Sequence, residues 1–258
     1  MKKDPRSAAR RTHRQSVVPL AVSACLLLAP SLALADGSAR AAGGPAPAVL
    51  ADLSNLKTLS LWAYPQAAAA ARENPSPSAR VVGHLRFLTF DGQAQVYIAL
   101  RSYTIAEATL ISVPLPGRPN GVIGWVPPSA LGEMHVSHDY LRINREALRA
   151  TLYRAGRPIW SAPIGVGRRG LPTPAGHYYV TEKLGAIGGP FYGPYALATS
   201  AYAPTLTDWP GGGVVGIHGT DEPQLIPGRP SHGCVRLRNS DIARLWPLVK
   251  VGTPIEIV

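Results

Sequence analysis

The sequence predicts a mainly β protein made of two β-rich modules in tandem, with one or two short helices. Three observations predict it. Short apolar runs recur from Lys57 to the C-terminus, separated by turn signals such as Asp91-Gly92, Pro119-Asn120-Gly121 and Ala155-Gly156. Glycine and proline stand at 26 each in 258 residues, as a chain of many short strands and tight turns requires. Only SDIARLWPLV, residues 240–249, has helical spacing, with Ile242, Leu245 and Leu248 on one face and Ser240 as candidate N-cap. A hydrophobic content of 46% is enough for a packed core.

Residues 1–35 read as a signal peptide. Lys2, Lys3, Arg6, Arg10, Arg11 and Arg14 form a basic n-region, Val17 to Leu34 are mostly apolar, and Ala33-Leu34-Ala35 has the small-x-small form of a cleavage site before Asp36. An uncleaved anchor is the competing reading, and in both the folded part is exported to the periplasm, the cell wall or the exterior. The membrane is a partner only through this leader, if it stays. The formal charge of +11 overstates what remains, because the leader holds six Lys/Arg and one acid, leaving 20 basic against 14 acidic residues, a net of +6. That suits a polyanionic neighbourhood. Nucleic acid is not expected, since no basic run exceeds Arg168-Arg169 and no aromatic platform interleaves with it.

Residues 36–54, with Gly43-Gly44-Pro45-Ala46-Pro47, read as a flexible linker. Residues 55–133 follow as a small all-β module with strand-like runs TLSLWAY, ARVVGHLRFLTF, AQVYIALRSY and ATLISVPL. The alanine run at 67–71 reads as a loop or a single helical turn. The closing NGVIGWVPPSAL, a strand bearing Trp125 and then Pro-Pro and a short helical turn, resembles the end of bacterial SH3-like domains. That resemblance implies a small SH3-like β-barrel, and the readings for its role are binding of wall polymer or only spacing of the catalytic domain from the membrane.

From about His135 the pattern stays β-rich. YLRINREALRATLYRAGRPIWSAPIGVG reads as strands joined by turns at Asn144 to Glu146 and at Ala155-Gly156, and Trp246 in the helical segment reads as core or rim. His84, His135, His138 and His177 read as ordinary surface or turn histidines.

With Cys25 in the leader, Cys234 in PSHGCVRLRNSD is the one cysteine left to the exported part. A lone cysteine sent to an oxidising compartment needs a reason. His218, in GGGVVGIHGTD, lies sixteen positions upstream, and two strands joined by a long loop would bring the pair together. A thiol becomes a nucleophile as thiolate, and an imidazole can take its proton and return it to a leaving amine. An oxyanion formed on attack needs backbone donors, which His232, Gly233 and Cys234 can supply. His232 shares a face with Cys234 if the segment is a strand, and reads as wall rather than base. Arg236, two positions on, can reach the same side and pair a substrate carboxylate. Arg238 reads as surface.

HGT at 218–220 and SHGCVRL at 231–237, preceded by PIGVGRRGLPTPAGHYYV at 163–180, resemble the catalytic domain of the L,D-transpeptidase (YkuD-like) family, over residues 136–258. The resemblance implies a β-rich fold acting on peptidoglycan stem peptides. In it the cysteine attacks a carbonyl of an L-centre, releases D-alanine and passes the acyl group to an amine, forming crosslinks in the cell wall. It implies Cys234 as nucleophile, His218 as acid/base, the Gly219 carbonyl as orienter of the imidazole, and His232, Gly233 and Cys234 as oxyanion hole. It also implies Arg236 and Ser231 as substrate contacts, and a lid over residues 185–202 that makes Tyr192 or Tyr195 further contacts. It implies no cofactor and no metal. An L,D-carboxypeptidase on the same scaffold and a non-catalytic wall-binding protein are the alternatives, and a zinc hydrolase using His218, His232 and Cys234 is a third class that lacks the carboxylate base such sites generally add.

Overall fold

The computed structural model describes residues 47–185, 189–207 and 210–258. The leader, its cleavage site and Cys25 lie outside them, as do residues 186–188 of the expected lid. Among the described residues no helix is long and apolar enough to cross a membrane.

The first part of the chain forms nine short strands: β1 (Val49–Asp52), β2 (Ser60–Ala63), β3 (Ala70–Arg72), β4 (Val81–His84), β5 (Tyr97–Ala99), β6 (Arg101–Ile105), β7 (Ala108–Pro114), β8 (Ile123–Val126) and β9 (His135–Ser137). They make a six-stranded sheet in the order β1-β6-β7-β8-β3-β4 and a three-stranded one, β5-β2-β9. The inward residues Ala63, Ala71, Tyr97, Ile111, Val113 and Val126 form the core between them. Two expectations are corrected here. The segment read as linker contributes β1, which pairs with β6 from Val49 opposite Thr104 to Asp52 opposite Arg101. The alanine run ends in β3, where Ala71 is fully buried, because a methyl group is what fits beside Gly124 across the sheet.

The second part forms β10 (Asp139–Asn144), β11 (Arg149–Arg154), β12 (Arg157–Pro163), β13 (Gly165–Gly167), β14 (Gly176–Gly185), β15 (Tyr195–Tyr202), β16 (Val214–His218), β17 (Gly228–Ser231), β18 (Val235–Arg236) and β19 (Pro254–Ile257), with one helix, α1 (Asn239–Leu245). All ten strands share one sheet, in the order β12-β11-β10-β19-β14-β15-β16-β18-β13-β17. The turns expected near Asn144 and at Ala155-Gly156 join β10 to β11 and β11 to β12. Leu141, Ile143, Leu152, Leu197, Ile217, Val235 and Leu237 build the core with Ile242 and Leu245 of α1. Each such side chain contributes about 1.5–3 kcal/mol by leaving water. The N-cap of α1 is Arg238, with no side-chain cap bond, so Ser240 lies inside the helix rather than capping it.

Strand alternation assigns the two faces of the middle of this sheet. Leu197 and Ile217 point to the core that α1 covers. Opposed residues of an antiparallel pair share a face, so Glu182, Ala198 and Gly216, in register across β14, β15 and β16, lie on the other face, as do Ala196 and His218. That face is floored by small residues and is where the first module contributes. Tyr179 of β14 packs with Trp62, Val96 and Ile98, and Gly44–Val258 form one compact unit.

Glu182 is a cost on this face. It is 4% exposed, and its Oε2 has no hydrogen-bond partner among the described residues. Burial, and then the Asp91 carboxylate, raise its pKa above the carboxylate value of 4.5, against a lowering hydrogen bond from the Thr89 side chain. A carboxyl whose folded pKa is raised opposes folding once the pH passes its unfolded value. Glu182→Gln is therefore expected to raise the melting temperature at pH 7.5 and to leave it nearly unchanged below pH 4.5. Thermal melts at both ends test this, and an equal shift at both would show that ionisation is not the cause.

Candidate active site

His218 ends β16 and Arg236 ends β18, and these strands run parallel in register, Ile217 beside Val235 and His218 beside Arg236. The pairing puts imidazole and guanidinium on one face. Cys234 lies two residues before Arg236, and its Sγ accepts a hydrogen bond from the Gly216 N–H at 3.4 Å. A Cβ placed on Gly216 would be 3.7 Å from His218 Cδ2 and 3.9 Å from Cys234 Sγ, so the two side chains converge over this one glycine.

The imidazole is fixed from the opposite side. His218 Nδ1–H donates to the Gly219 carbonyl at 2.6 Å, which leaves Nε2 as the ring atom free to accept a proton. Gly219 cannot be another residue, since a Cβ there would sit 2.2 Å from Asn239 Oδ1. Asn239 Oδ1 accepts from the Thr220 N–H at 2.9 Å and so holds the strand end to the start of α1.

Cys234 follows a turn rather than continuing a strand. β17 ends at Ser231, and His232-Gly233-Cys234 bend at Gly233, whose φ of 129° is costly for any residue with a Cβ. The expected i, i+2 strand relation of His232 and Cys234 is therefore corrected, although both residues line the same pocket. Ser231 is 1% exposed and ties this turn: its Oγ donates to the Cys234 carbonyl at 2.6 Å and accepts from the Gly233 N–H at 3.2 Å. Of the three expected oxyanion donors, Gly233 N–H is thus engaged in this state.

Arg236 is 4% exposed. Its Nη1 donates to Glu222 Oε2 at 2.8 Å, its guanidinium carbon lies 4.8 Å from the centre of the Phe191 ring, and its buried Nε has no hydrogen-bond partner among the described residues. Tyr192 packs edge-on to His218, with ring centres 4.9 Å apart. Tyr195 does not join them. It is the neighbour of Ala196 on β15 and so points to the opposite face, where it stacks on Trp246 at 4.8 Å. Its assignment as a substrate contact is corrected on that ground. Phe191, Glu222, Asn239 and the wall formed by Ala203, Leu206 and Gly213 to Val215 were not singled out from the sequence. Only Gly216 had a signal there, as the i−2 neighbour of His218.

These residues enclose a narrow pocket of about 20 Å³, room for about one water. Burial, followed by the weaker effect of Arg236, pushes the His218 pKa down to about 4, against an opposing contribution from the Gly219 hydrogen bond. Burial likewise raises the Cys234 thiol, against lowering contributions from the Gly216 N–H and Arg236. Both shifts favour a neutral thiol beside a neutral imidazole at rest. Burial first, then Arg168 and Arg236, also lower the His232 pKa. Among the described residues, no group of three or more His, Cys, Asp or Glu side chains is arranged to hold a metal ion.

Residues 138–257 match the model of the YkuD family, described as the L,D-transpeptidase catalytic domain. YkuD of Bacillus licheniformis, provisionally named an L,D-transpeptidase, is 34% identical over 115 residues, covering 45% of this chain and 61% of that protein. YbiS of Escherichia coli, named a probable L,D-transpeptidase, is 33% identical over 139 residues, covering 47% of this chain and 45% of that one. The chain thus spans about half to two thirds of the length of these curated relatives. The solution structure of the catalytic domain of the Enterococcus faecium L,D-transpeptidase is similar over 46% of this chain and 95% of that one, with 27% identity and a TM-score of 0.37.

A neutral resting pair has a kinetic signature. Alkylation of native Cys234 by iodoacetamide is expected to keep rising with pH to above the usual thiol range, with no plateau near pH 6 to 7, and to lag behind the unfolded protein at neutral pH. A plateau reached below pH 7 would show a preformed thiolate–imidazolium pair.

Proposed function

We propose that residues 138–257 are a cysteine acyltransferase acting on peptidoglycan stem peptides, an L,D-transpeptidase, and that the leader exports it to the wall. The observation that carries the reading is the convergence of Cys234 Sγ, the ring of a Gly219-oriented His218 and the partly unpartnered guanidinium of Arg236 in one pocket, within the stretch that matches the family model. Wall polymer as a ligand of the first module belongs to the same reading.

The geometry suggests the following course. The donor peptide places the carbonyl of an L-centre against Sγ and its carboxylate against Arg236, in competition with Glu222. His218 Nε2 takes the thiol proton as the sulfur lone pair forms the C–S bond and the carbonyl π electrons move to oxygen. The turn at His232 to Cys234 supplies N–H donors for that oxyanion, Gly233 N–H being shared with Ser231. Collapse expels the amine of the terminal D-residue, which takes the proton back from Nε2, and a thioester remains. An acceptor amine then attacks, gives its proton to Nε2, and the C–S bond breaks to regenerate the thiol. Neutrality of both partners at rest suits this sequence, because a low-pKa imidazole returns its proton readily. The Pro190–Tyr192 turn stands beside His218 at this pocket, where a donor peptide would pass.

The intact mass of the protein after exposure to a carbapenem tests the reading. The wild type is expected to gain one acyl adduct on Cys234. His218→Ala is expected to acylate on the order of 10²-fold more slowly, the usual scale of general acid/base help, and to recover in part as rising pH ionises the thiol directly. His232→Ala is expected to show a loss that pH does not repair. Rescue in His232→Ala but not in His218→Ala would mean that the base is misassigned, and an unmodified wild type would sink the acyltransferase reading.

A further inference from the structure

Part of the pocket wall belongs to the connection between β15 and β16. Ala203, Leu206 and Gly213 of this connection line the pocket with Cys234. Among the described residues, the Ala203 N–H donates to the Gly213 carbonyl across its base at 2.8 Å. Further bonds come from the first module, from the loop that joins β7 to β8. Arg118 donates from Nε to the Ala203 carbonyl at 2.9 Å, from Nη2 to the Leu206 carbonyl at 2.7 Å and from Nη1 to the Gly212 carbonyl at 2.8 Å. Its guanidinium carbon lies 5.1 Å from the centre of the Tyr202 ring. Two residues on, Asn120 pairs with the backbone of Tyr202 in both directions, Nδ2 donating to its carbonyl at 2.7 Å and Oδ1 accepting from its N–H at 2.9 Å.

Five hydrogen bonds from one barrel loop therefore end on the main chain of the wall. A planar guanidinium with three differently directed N–H edges can meet three carbonyls at once, as a lysine ammonium on a flexible stem does not. The fit is tight, since a Cβ on Gly213 would lie 2.1 Å from the Leu206 carbonyl and 2.3 Å from Arg118 Nη2. The wall in turn abuts the nucleophile's turn, because a Cβ on Gly233 would come within 3.6 Å of Ala203 Cβ. Arg118 and Asn120 thus reach the turn proposed to bind the oxyanion through one intervening residue.

We propose that the first module is a positioning element of the acyltransferase site, with Arg118 and Asn120 holding the wall at Tyr202, Ala203, Leu206 and Gly212 against the Gly233 turn, rather than only a spacer or a wall-polymer reader. This rests on the acyltransferase reading. Attack on a carbonyl needs the wall and turn placed to a fraction of an ångström, whereas alkylation of the thiol by a small neutral reagent needs only access and ionisation. The two reactions at the same sulfur therefore separate a positioning role from a general loss of fold.

The experiment compares Arg118→Ala, Asn120→Ala and wild type, at a temperature well below each melting point, for carbapenem acylation and for iodoacetamide alkylation of Cys234. In both variants the ratio of acylation rate to alkylation rate is expected to fall, by about ten-fold or more in Arg118→Ala, the scale of a displaced reacting geometry. A ratio unchanged from wild type in both variants, whether the two rates hold or drop together, overturns the positioning role. A wild type that is alkylated but never acylated overturns the acyltransferase reading itself, and this inference falls with it.

Discussion

The parallel pairing of β16 with β18 is the constraint on which the site depends. Two strands adjacent in space but separated in sequence by a loop, a 3-10 turn and β17 place His218 directly beside Arg236 and bring Gly216 under Cys234 Sγ. A one-residue slip would turn every one of these side chains to the opposite face. Register is fixed by what lies beneath, because Ile217 and Val235, the alternate residues of the same two strands, are at most 1% exposed in the core that α1 closes. The core therefore sets the geometry of the chemistry from the back of the sheet, and Asn239, at the first position of α1, locks the strand end from the side.

Electrostatics then follow from burial more than from charge. His218, Cys234 and Arg236 share one face, and Arg236 forms an ion pair with Glu222 at 2.8 Å. His218 and Cys234 stay neutral because desolvation outweighs the hydrogen bonds each receives. A guanidinium with one buried N–H unsatisfied is an unfavourable arrangement unless a ligand completes it. The same face carries Glu182 with an unpartnered oxygen. Both costs are met by the apolar sheet behind, where the large aliphatic side chains lie fully buried.

The sequence made the β character, most strand runs, both hairpin turns of the second module and the Cys234–His218–Arg236 set legible, because period-two patterning and short motifs are local properties. What it hid is non-local. Tyr195 and Tyr192 look equivalent in GGPFYGPYALA, and only the phase of β15 sends one to Trp246 and leaves the other beside His218. Ser231 reads as a substrate hydroxyl until the turn shows it bonded to the Cys234 carbonyl and the Gly233 N–H. Val49 to Asp52 look like linker because they continue the Gly/Pro-rich stretch at 43–47, yet β6 offers them an edge to pair with. Glu222 and Arg118 had no signal at all, since nothing local distinguishes a charged loop residue that will meet a partner fourteen or more than eighty positions away.

In the exported setting proposed above, Cys234 poses the problem of how a thiol persists in an oxidising compartment. Disulfide exchange and oxidation both require a thiolate and an approaching partner. Burial raises the Sγ pKa and so disfavours the thiolate, while Cys234 itself is partly exposed in a narrow pocket beside Tyr192. A low-pKa thiolate would be a better nucleophile in isolation, but it would be exposed to every oxidant between turnovers. The loop between β7 and β8 bears on the same pocket, because Arg118 and Asn120 hold its wall at five points.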